Sequence, residues 1–364
     1  MNELNIDKII IPVTECTPGM TLMQSIVDEN TGAIIANKGQ KLTAENIERL
    51  RNFEHTQIWI SLNNQIEIES RQASGFSQSD DKPSIWQISE EKLEAYKDYA
   101  QVLKIVLSEL KENKKLSIKK LMDLADQMFK DFKDYYSALG CMSLLLQMEY
   151  DDSIHSINIA CCAFILGKWL EYDEITLKNI IVAGLLHDVG KIDFTDEVAY
   201  KSIKKMDTLQ KLEYRRHPIL GYEKLVPYNE LNIEILKGVL THHERCDGSG
   251  YPLALKANKI ENIARVIGIV DTFCRLKQTH HIFDTIKILQ TEMASQFETS
   301  MLNLFCNNII NYYVGAKVIL NTGEFGEVAF IQSQAMYSPI IKVCNEYINL
   351  QETRDVEIVR VIEW

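Results

Sequence analysis

"TLKNIIVAGLLHDVGK", residues 176–191, is the stretch that decides the fold. Its apolar run is rich in Leu, Ile and Ala and long enough for a helix. It ends in an adjacent His187-Asp188 pair, then a Gly-Lys stop. A charged Asp placed after such a run is costly to bury without a partner, and a metal ion offsets that cost.

Neighbouring segments have the same character. "EEKLEAYKDYAQVLKIVLSELKEN" places Leu93, Tyr96, Ala100, Leu103 and Leu107 at helical spacing, and "SIKKLMDLADQMFKDF", "SINIACCAFILGKWL" and "LNIEILKGVLTHHE" are also helix-length. No alternating βα pattern occurs, so the sequence predicts a helical domain rather than a doubly wound sheet. The predicted fold class is mainly α. The helical domain spans 86–312, after a small α/β unit at 1–61 and a polar, Ser-rich linker at 62–85.

In the first unit, "KIIIPV", "TLMQSIV", "AIIANKG" and "TQIWI" read as strands, with a turn at Asn30-Thr31-Gly32 and a helix capped by Thr43. His55 is isolated there and reads as structural. Residues 313–364 switch to β-branched, alternating segments with Gly-rich turns, which predicts a short antiparallel β segment packed on the helical domain.

The chain has 364 residues, 46% of them hydrophobic and 25% charged, which suits two or three globular domains. A formal net charge of -12 argues against a DNA or RNA binder, which needs a basic face. A metal site still supplies local positive charge for a small nucleotide. The N-terminus lacks a signal peptide pattern, and the most apolar run, Ile157 to Leu170, carries Asn158 and Lys168 and is too short to span a bilayer. The eight cysteines form no CxxC pair. They read as reduced thiols of a cytoplasmic protein with no membrane partner.

Five histidines, His155, His187, His217, His242 and His243, fall in the helical region near helix ends or in helical patterns. A lone helical His is usually a core or surface residue. Five, with Asp188 and Asp271, exceed the needs of one tetrahedral ion and suit two ions sharing a carboxylate. Adjacent helical side chains diverge by about 100°, so His187-Asp188 can serve two metals. Such pairs activate water for in-line attack on a phosphate ester.

"LLHDVGK" resembles the signature of the HD phosphohydrolase superfamily. "HHERCDGSGYP", residues 242–252, is similar at every fixed position to the HD-GYP pattern HHE-x-x-D-G-x-G-Y-P. "YDDSIHSINIA", "EYRRHPILGYEKL" and "ARVIGIVDTF" extend the resemblance over about residues 115–312. It implies an all-helical domain with two or three iron or manganese ions, and phosphodiesterase activity on cyclic di-GMP giving pGpG and then GMP. The implied metal ligands are His155, His187, Asp188, His217, His242, His243 and Asp271, with Asp188 bridging. Asp151 stands where some members hold a third metal with a glutamate, so a third ion stays open.

The resemblance also gives Lys191, with Asp188, a catalytic place, the lysine contacting the scissile phosphate. Gly250, Tyr251 and Pro252 would rim the substrate site, which makes the loop a docking surface for diguanylate cyclase (GGDEF) domains. Glu244 would fix an imidazole tautomer from behind the ligands, with Asp247 beside it in the turn. The reading is compatible with a homodimer.

After Asp271 the chain departs from the family. "DTFCRLKQTHHIFDTIK" has Cys274 where a carboxylate is usual, and His280 and Phe283 where cations hold phosphates. Arg275 and Lys277 are the nearby cations, out of register. A neutral His does not replace arginine's planar fork. Two alternatives therefore accompany the phosphodiesterase reading. One is a sensor or adaptor with little turnover, and the other a phosphohydrolase of another nucleotide such as guanosine tetraphosphate.

Overall fold

The computed structural model describes residues 8–12, 16, 18–22, 26–27, 34–52, 57–61, 90–113, 115–132, 151–195, 198, 205–344 and 346–362. The predicted linker at 62–85, the Asn30-Thr31-Gly32 turn and His55 lie outside the described residues. The chain divides into two compact units: Met1–Lys82 with Ile340–Asn349, and Pro83–Pro339 with Leu350–Trp364.

In the first unit, strand β1 (Lys8–Pro12) pairs antiparallel with β4 (Gln57–Ser61), and β2 (Ile26–Val27) pairs with β3 (Ile34–Ala36). Helix α1 (Ala44–Asn52) lies between β3 and β4 in sequence. The Thr43 hydroxyl accepts from Asn46 N at 3.1 Å, the cap its position predicts. Leu22, Leu42, Ile47 and Leu50 are buried.

The second unit is a helical bundle. It comprises α2 (Glu90–Asn113), α3 (Ile118–Asp131), α4 (Asp152–Trp169), α5 (Glu174–Leu186), α6 (Thr208–Tyr214), α7 (His217–Leu225), α8 (Ile233–Thr241), α9 (Asn262–Lys277), α10 (Ile282–Lys287) and α11 (Thr299–Asn311). The central pair, α4 and α5, shows why it folds inward. From Ser153 to Gly167 only Ile154 is not fully buried, and from Ile180 every residue to Leu186 is buried. A helix apolar all round is stable only with neighbours on every side.

Polar residues mark the starts of these helices. Asp151 accepts from Ser153 N at 2.7 Å, Asp173 from Thr176 N at 2.8 Å and Asn232 from Glu234 N at 3.0 Å. Each satisfies a backbone donor that the helix itself leaves open.

β5 (Lys317–Leu320) pairs antiparallel with β6 (Phe325–Phe330) on one side and β9 (Ile358–Ile362) on the other. Alternate residues Val318, Leu320, Val328 and Phe330 are buried, the period-two pattern of a one-faced sheet. His281 Nε2 lies 2.9 Å from the Ile358 carbonyl and links this sheet to the start of α10. β7 (Ile340–Val343) and β8 (Glu346–Asn349) form an antiparallel hairpin grouped with the first unit. Among the described residues no helix is long and apolar enough to cross a membrane.

Candidate metal centre

Seven histidine and aspartate side chains from five helices or their ends meet in the bundle's interior. His155 lies one turn into α4. His187 ends α5, Asp188 follows it, and His217 opens α7. His242 and His243 follow α8, and Asp271 is in mid-α9. All seven are buried. They form two clusters able to hold divalent ions, Asp188-His217-His242-His243 and His155-His187-Asp271.

Asp188 stands between them. Its Oδ1 is 3.1 Å from His217 Nε2 and 3.9 Å from His242 Nε2. Its Oδ2 is 3.3 Å from His187 Nε2 and 3.8 Å from His155 Nε2. His155 Nε2 is also 3.2 Å from Asp271 Oδ1. One carboxylate thus turns an oxygen toward each cluster.

The local chain geometry fixes the imidazoles. His187, His217 and His242 each place Nδ1 at 2.7–2.8 Å from the carbonyl three residues earlier, Gly184, Tyr214 and Val239 respectively. A carbonyl only accepts, so each Nδ1 carries a proton and each Nε2 turns inward. Burial alone would lower the pKa of His187, but the neighbouring Asp188 charge outweighs it and raises it above the ordinary imidazole value. The sequence gives such an orienting role to Glu244. Its two oxygens instead accept from Leu253 N at 2.6 Å and Leu255 N at 2.8 Å, and so hold the loop after α8. Carbonyls at helix ends already serve three of the five imidazoles, those of His187, His217 and His242.

A metal pair fits the donor set. His187 Nε2, Asp188 Oδ1 and His243 Nε2 are buried and make no hydrogen bond within the protein. Burial pushes the pKa values of His242 and His243 well below the ordinary imidazole range, and takes His155 down to about 4. Those rings are neutral, the form that ligates a metal. Burial alone would raise Asp188, but the neighbouring charges of His187 and Lys191 outweigh it and keep the carboxyl well below its usual range. Asp271 is likewise held down against burial, chiefly by Arg275.

Two cations flank the carboxylates. Lys191 lies buried in a tight turn after the His-Asp pair, Nζ 2.5 Å from Asp188 Oδ2 and 4.8 Å from the Tyr214 ring centre. Arg275, one turn after Asp271, donates from Nε to both Asp271 oxygens at 2.7 and 2.9 Å. Its Nη2 is 3.6 Å from Asp188 Oδ2, and its Nη1 donates to the Tyr214 hydroxyl at 3.3 Å. Lys277 instead lies 5.7 Å from the Tyr313 ring centre. Cys274 and Phe283 are buried in the core, while His280 pairs with Thr279 and the Leu276 carbonyl.

The loop at 242–252 closes one side. Tyr251 stacks on His243 with ring centres 4.6 Å apart, and the Arg215 guanidinium lies 5.4 Å from the Tyr251 ring. A Cβ on Gly250 would come within 2.4 Å of Arg245 N and 2.5 Å of His243 O, so only glycine allows the chain to cross here. Asp247 accepts from Ser249 N and its hydroxyl and shapes the exposed turn. Pro252 follows Tyr251 through a cis peptide bond. Asp151 lies outside both clusters and caps α4, 3.4 Å from Lys104 Nζ.

A cavity of about 180 Å³ reaches Asp188 and Lys191 from the surface, lined also by Lys104, Lys111, Asp151 and Ser153. Tyr214, Lys104 and Lys111 were not singled out by sequence. Tyr214's one available signal is its place three residues before His217.

A helical bundle that gathers a His-Asp pair and five further ligand-type residues into two candidate metal clusters has the make-up of an HD-type domain. A family model described as an HD domain matches residues 143–297, and that segment of the chain is HD-type, with HD-GYP-like motifs. It is similar to cyclic di-GMP phosphodiesterase PA4108 of Pseudomonas aeruginosa, at 27% identity over 227 residues, 61% of this chain and 54% of that one. Similarity to the cyclic di-GMP phosphodiesterase response regulator RpfG of Xanthomonas campestris pv. campestris is 36% over 130 residues, 35% of this chain and 34% of that one. The chain thus spans about half the length of the first and a third of the second. Bd1817, a HDG"Y"P protein from Bdellovibrio bacteriovorus, shares the fold with a TM-score of 0.53 at 13% identity, over 83% of this chain and 99% of that one.

Proposed function

We propose that the chain is a metal-dependent phosphodiesterase that hydrolyses cyclic di-GMP to pGpG, GMP or both. The observation that carries this reading is the Asp188 carboxylate, whose two oxygens face two separate histidine clusters. In this reading His155, His187 and Asp271 hold one ion, His217, His242 and His243 hold the other, and Asp188 bridges. Iron and manganese suit this mixed N/O donor set. When bound, two such ions supply an activated water and polarise the phosphate oxygens of an in-line displacement.

The chain's own groups do the rest. Lys191 leaves Asp188 for a phosphate oxygen and offsets the charge that builds there. Tyr251, stacked on His243, excludes water from that side of the site. Gly250 and Pro252 shape the rim. The exposed residues Asp247, Ser249 and Leu253 make the loop a docking face for a diguanylate cyclase (GGDEF) domain. Residues 1–61 act as an accessory domain, and the chain works as a cytoplasmic signalling enzyme.

One observation favours a second reading, a binding protein with little turnover. His280 and Phe283, where cations are usual, are engaged elsewhere or buried. Anaerobic purification, iron and manganese analysis, and hydrolysis of cyclic di-GMP beside the Asp188→Ala variant separate the two. Turnover in the parent and none in the variant supports the phosphodiesterase. Two metals and nucleotide binding without turnover support the binding protein. Faster hydrolysis of 3'3'-cyclic GMP-AMP than of cyclic di-GMP would overturn the substrate assignment.

A further inference from the structure

Arg275 occupies the place of a cation inside the centre. Its Nε reaches both oxygens of Asp271, and its Nη2 approaches Asp188 Oδ2. Two nearly inaccessible carboxylates drawn together repel each other unless positive charge lies beside them. Lys191 supplies it at Asp188 and the guanidinium supplies it at Asp271, from a side chain that is 29% exposed.

A divalent ion on the same carboxylates needs the same lone pairs. Arg275 Nε and a metal therefore compete for Asp271. Arg275 also lies close to Lys191, since both contact Tyr214 and both lie on the Oδ2 side of Asp188. The chain has no cation at 280 or 283 to grip a phosphate, so a displaced Arg275 is the planar fork available beside Lys191.

We propose that Arg275 is a built-in counter-ion that holds the metal site together when it is empty of metal, and that on metal uptake it moves from Asp271 to the substrate's phosphate. The phosphate half of this inference rests on the phosphodiesterase reading. The metal half does not.

The test compares the full-length parent with Arg275→Ala and Arg275→Lys, each purified with Mn²⁺ and then stripped by chelation. In calorimetric titration Arg275→Ala binds Mn²⁺ about ten- to hundredfold more tightly than the parent, the worth of one charged hydrogen bond. Its metal-free unfolding midpoint falls by roughly 5–10 °C, and saturating Mn²⁺ removes most of that deficit. Arg275→Lys keeps the charge without the fork and lies between the two. If Arg275→Ala does not refold after stripping, Arg275→Lys carries the comparison.

Inorganic phosphate, added to the Mn²⁺-loaded proteins, binds Arg275→Ala at least about tenfold more weakly than the parent. Unchanged or weaker Mn²⁺ binding in the variants overturns the proposal, as does phosphate affinity equal to the parent's. Neither measurement uses cyclic di-GMP. Failure to hydrolyse it with both results intact would sink the substrate assignment alone.

Discussion

The Nε2 atoms of His217 and His242 face each other at 3.3 Å. Each ring's Nδ1 proton is engaged by a backbone carbonyl, so in the neutral rings both facing nitrogens are bare acceptors. Two lone pairs at that separation repel unless a proton or a metal ion lies between or beside them. Burial disfavours the proton in both rings. The pair is therefore built for a metal ion, and stripping the metal should cost stability. At Mn²⁺ one hundred times its dissociation constant the gain is about 2.7 kcal/mol. Thermal unfolding with and without chelator measures it, and His217→Ala and His242→Ala should lose most of the metal-dependent part.

Asp188 and Lys191 form a buried ion pair at the centre. With both groups buried, removing one partner leaves the other uncompensated, at a cost of about 3–5 kcal/mol. Asp188→Asn and Lys191→Met should each lower the urea midpoint of the metal-free protein. The double variant should be more stable than the sum of the singles implies, by about 1–3 kcal/mol. A coupling energy near zero would show that the pair does not contribute to stability.

Asp173 offers a pH test away from the centre. Its carboxylate accepts from Thr176 N at the start of α5, and that bond holds its pKa below the ordinary 3.8. A carboxyl with a depressed folded pKa stabilises the protein above the unfolded value and loses that contribution as pH falls through the folded one. Asp173→Ala should therefore lower the unfolding midpoint at pH near 7, and the gap from the parent should close as the pH is taken below 3.8.

Much of this centre was legible in the sequence because helices and short motifs are local. The run before His187 announced a buried helix, and the two His/Asp motifs announced donors. What sequence did not give is what those donors touch. Glu244 lies next to His243 in the chain but turns to the backbone at Leu253 and Leu255. The imidazoles of His187, His217 and His242 are oriented by carbonyls three residues back, which have no side-chain signature. Arg275 was visible only as a cation out of register. Its spacing of four from Asp271 on one helix is the local signal that it pairs with that carboxylate. Lys104 and Lys111 come from a helix before the matched HD segment, and only the fold brings them to the cavity.

The loop after α8 depends on two contacts that cannot be softened. Gly250→Ala drives a Cβ into the backbone of His243, Glu244 and Arg245, and Glu244→Gln replaces one of two acceptors with a donor facing a backbone N–H. Both should destabilise the protein by about 1–3 kcal/mol. Because the loop carries Tyr251 against His243, both should also raise KM for the phosphodiester more than they lower metal content. Metal analysis beside steady-state kinetics separates the two effects. Complete loss of metal in either variant would show that the loop instead supports the ligands.

A cyclic dinucleotide brings two phosphates, and in the proposed reading the metal clusters with Lys191 would take one. The cavity that opens from Asp188 and Lys191 runs to Lys104 and Lys111 on α2, both exposed. Lys104 is 3.4 Å from Asp151, a loose pairing with side chains 61% and 38% exposed, so little is lost when it turns to a ligand. If the second phosphate lies there, Lys104→Glu with Lys111→Glu should raise KM for cyclic di-GMP by about tenfold or more, with metal content and thermal stability near the parent's. The penalty should shrink as salt is raised, because exposed charges are screened over about 8–10 Å at physiological ionic strength. A small phosphodiester with a single phosphate should show no such penalty. An equal penalty on both substrates would place the lysines at the first phosphate, and no penalty on either would remove this face of the cavity from the binding path.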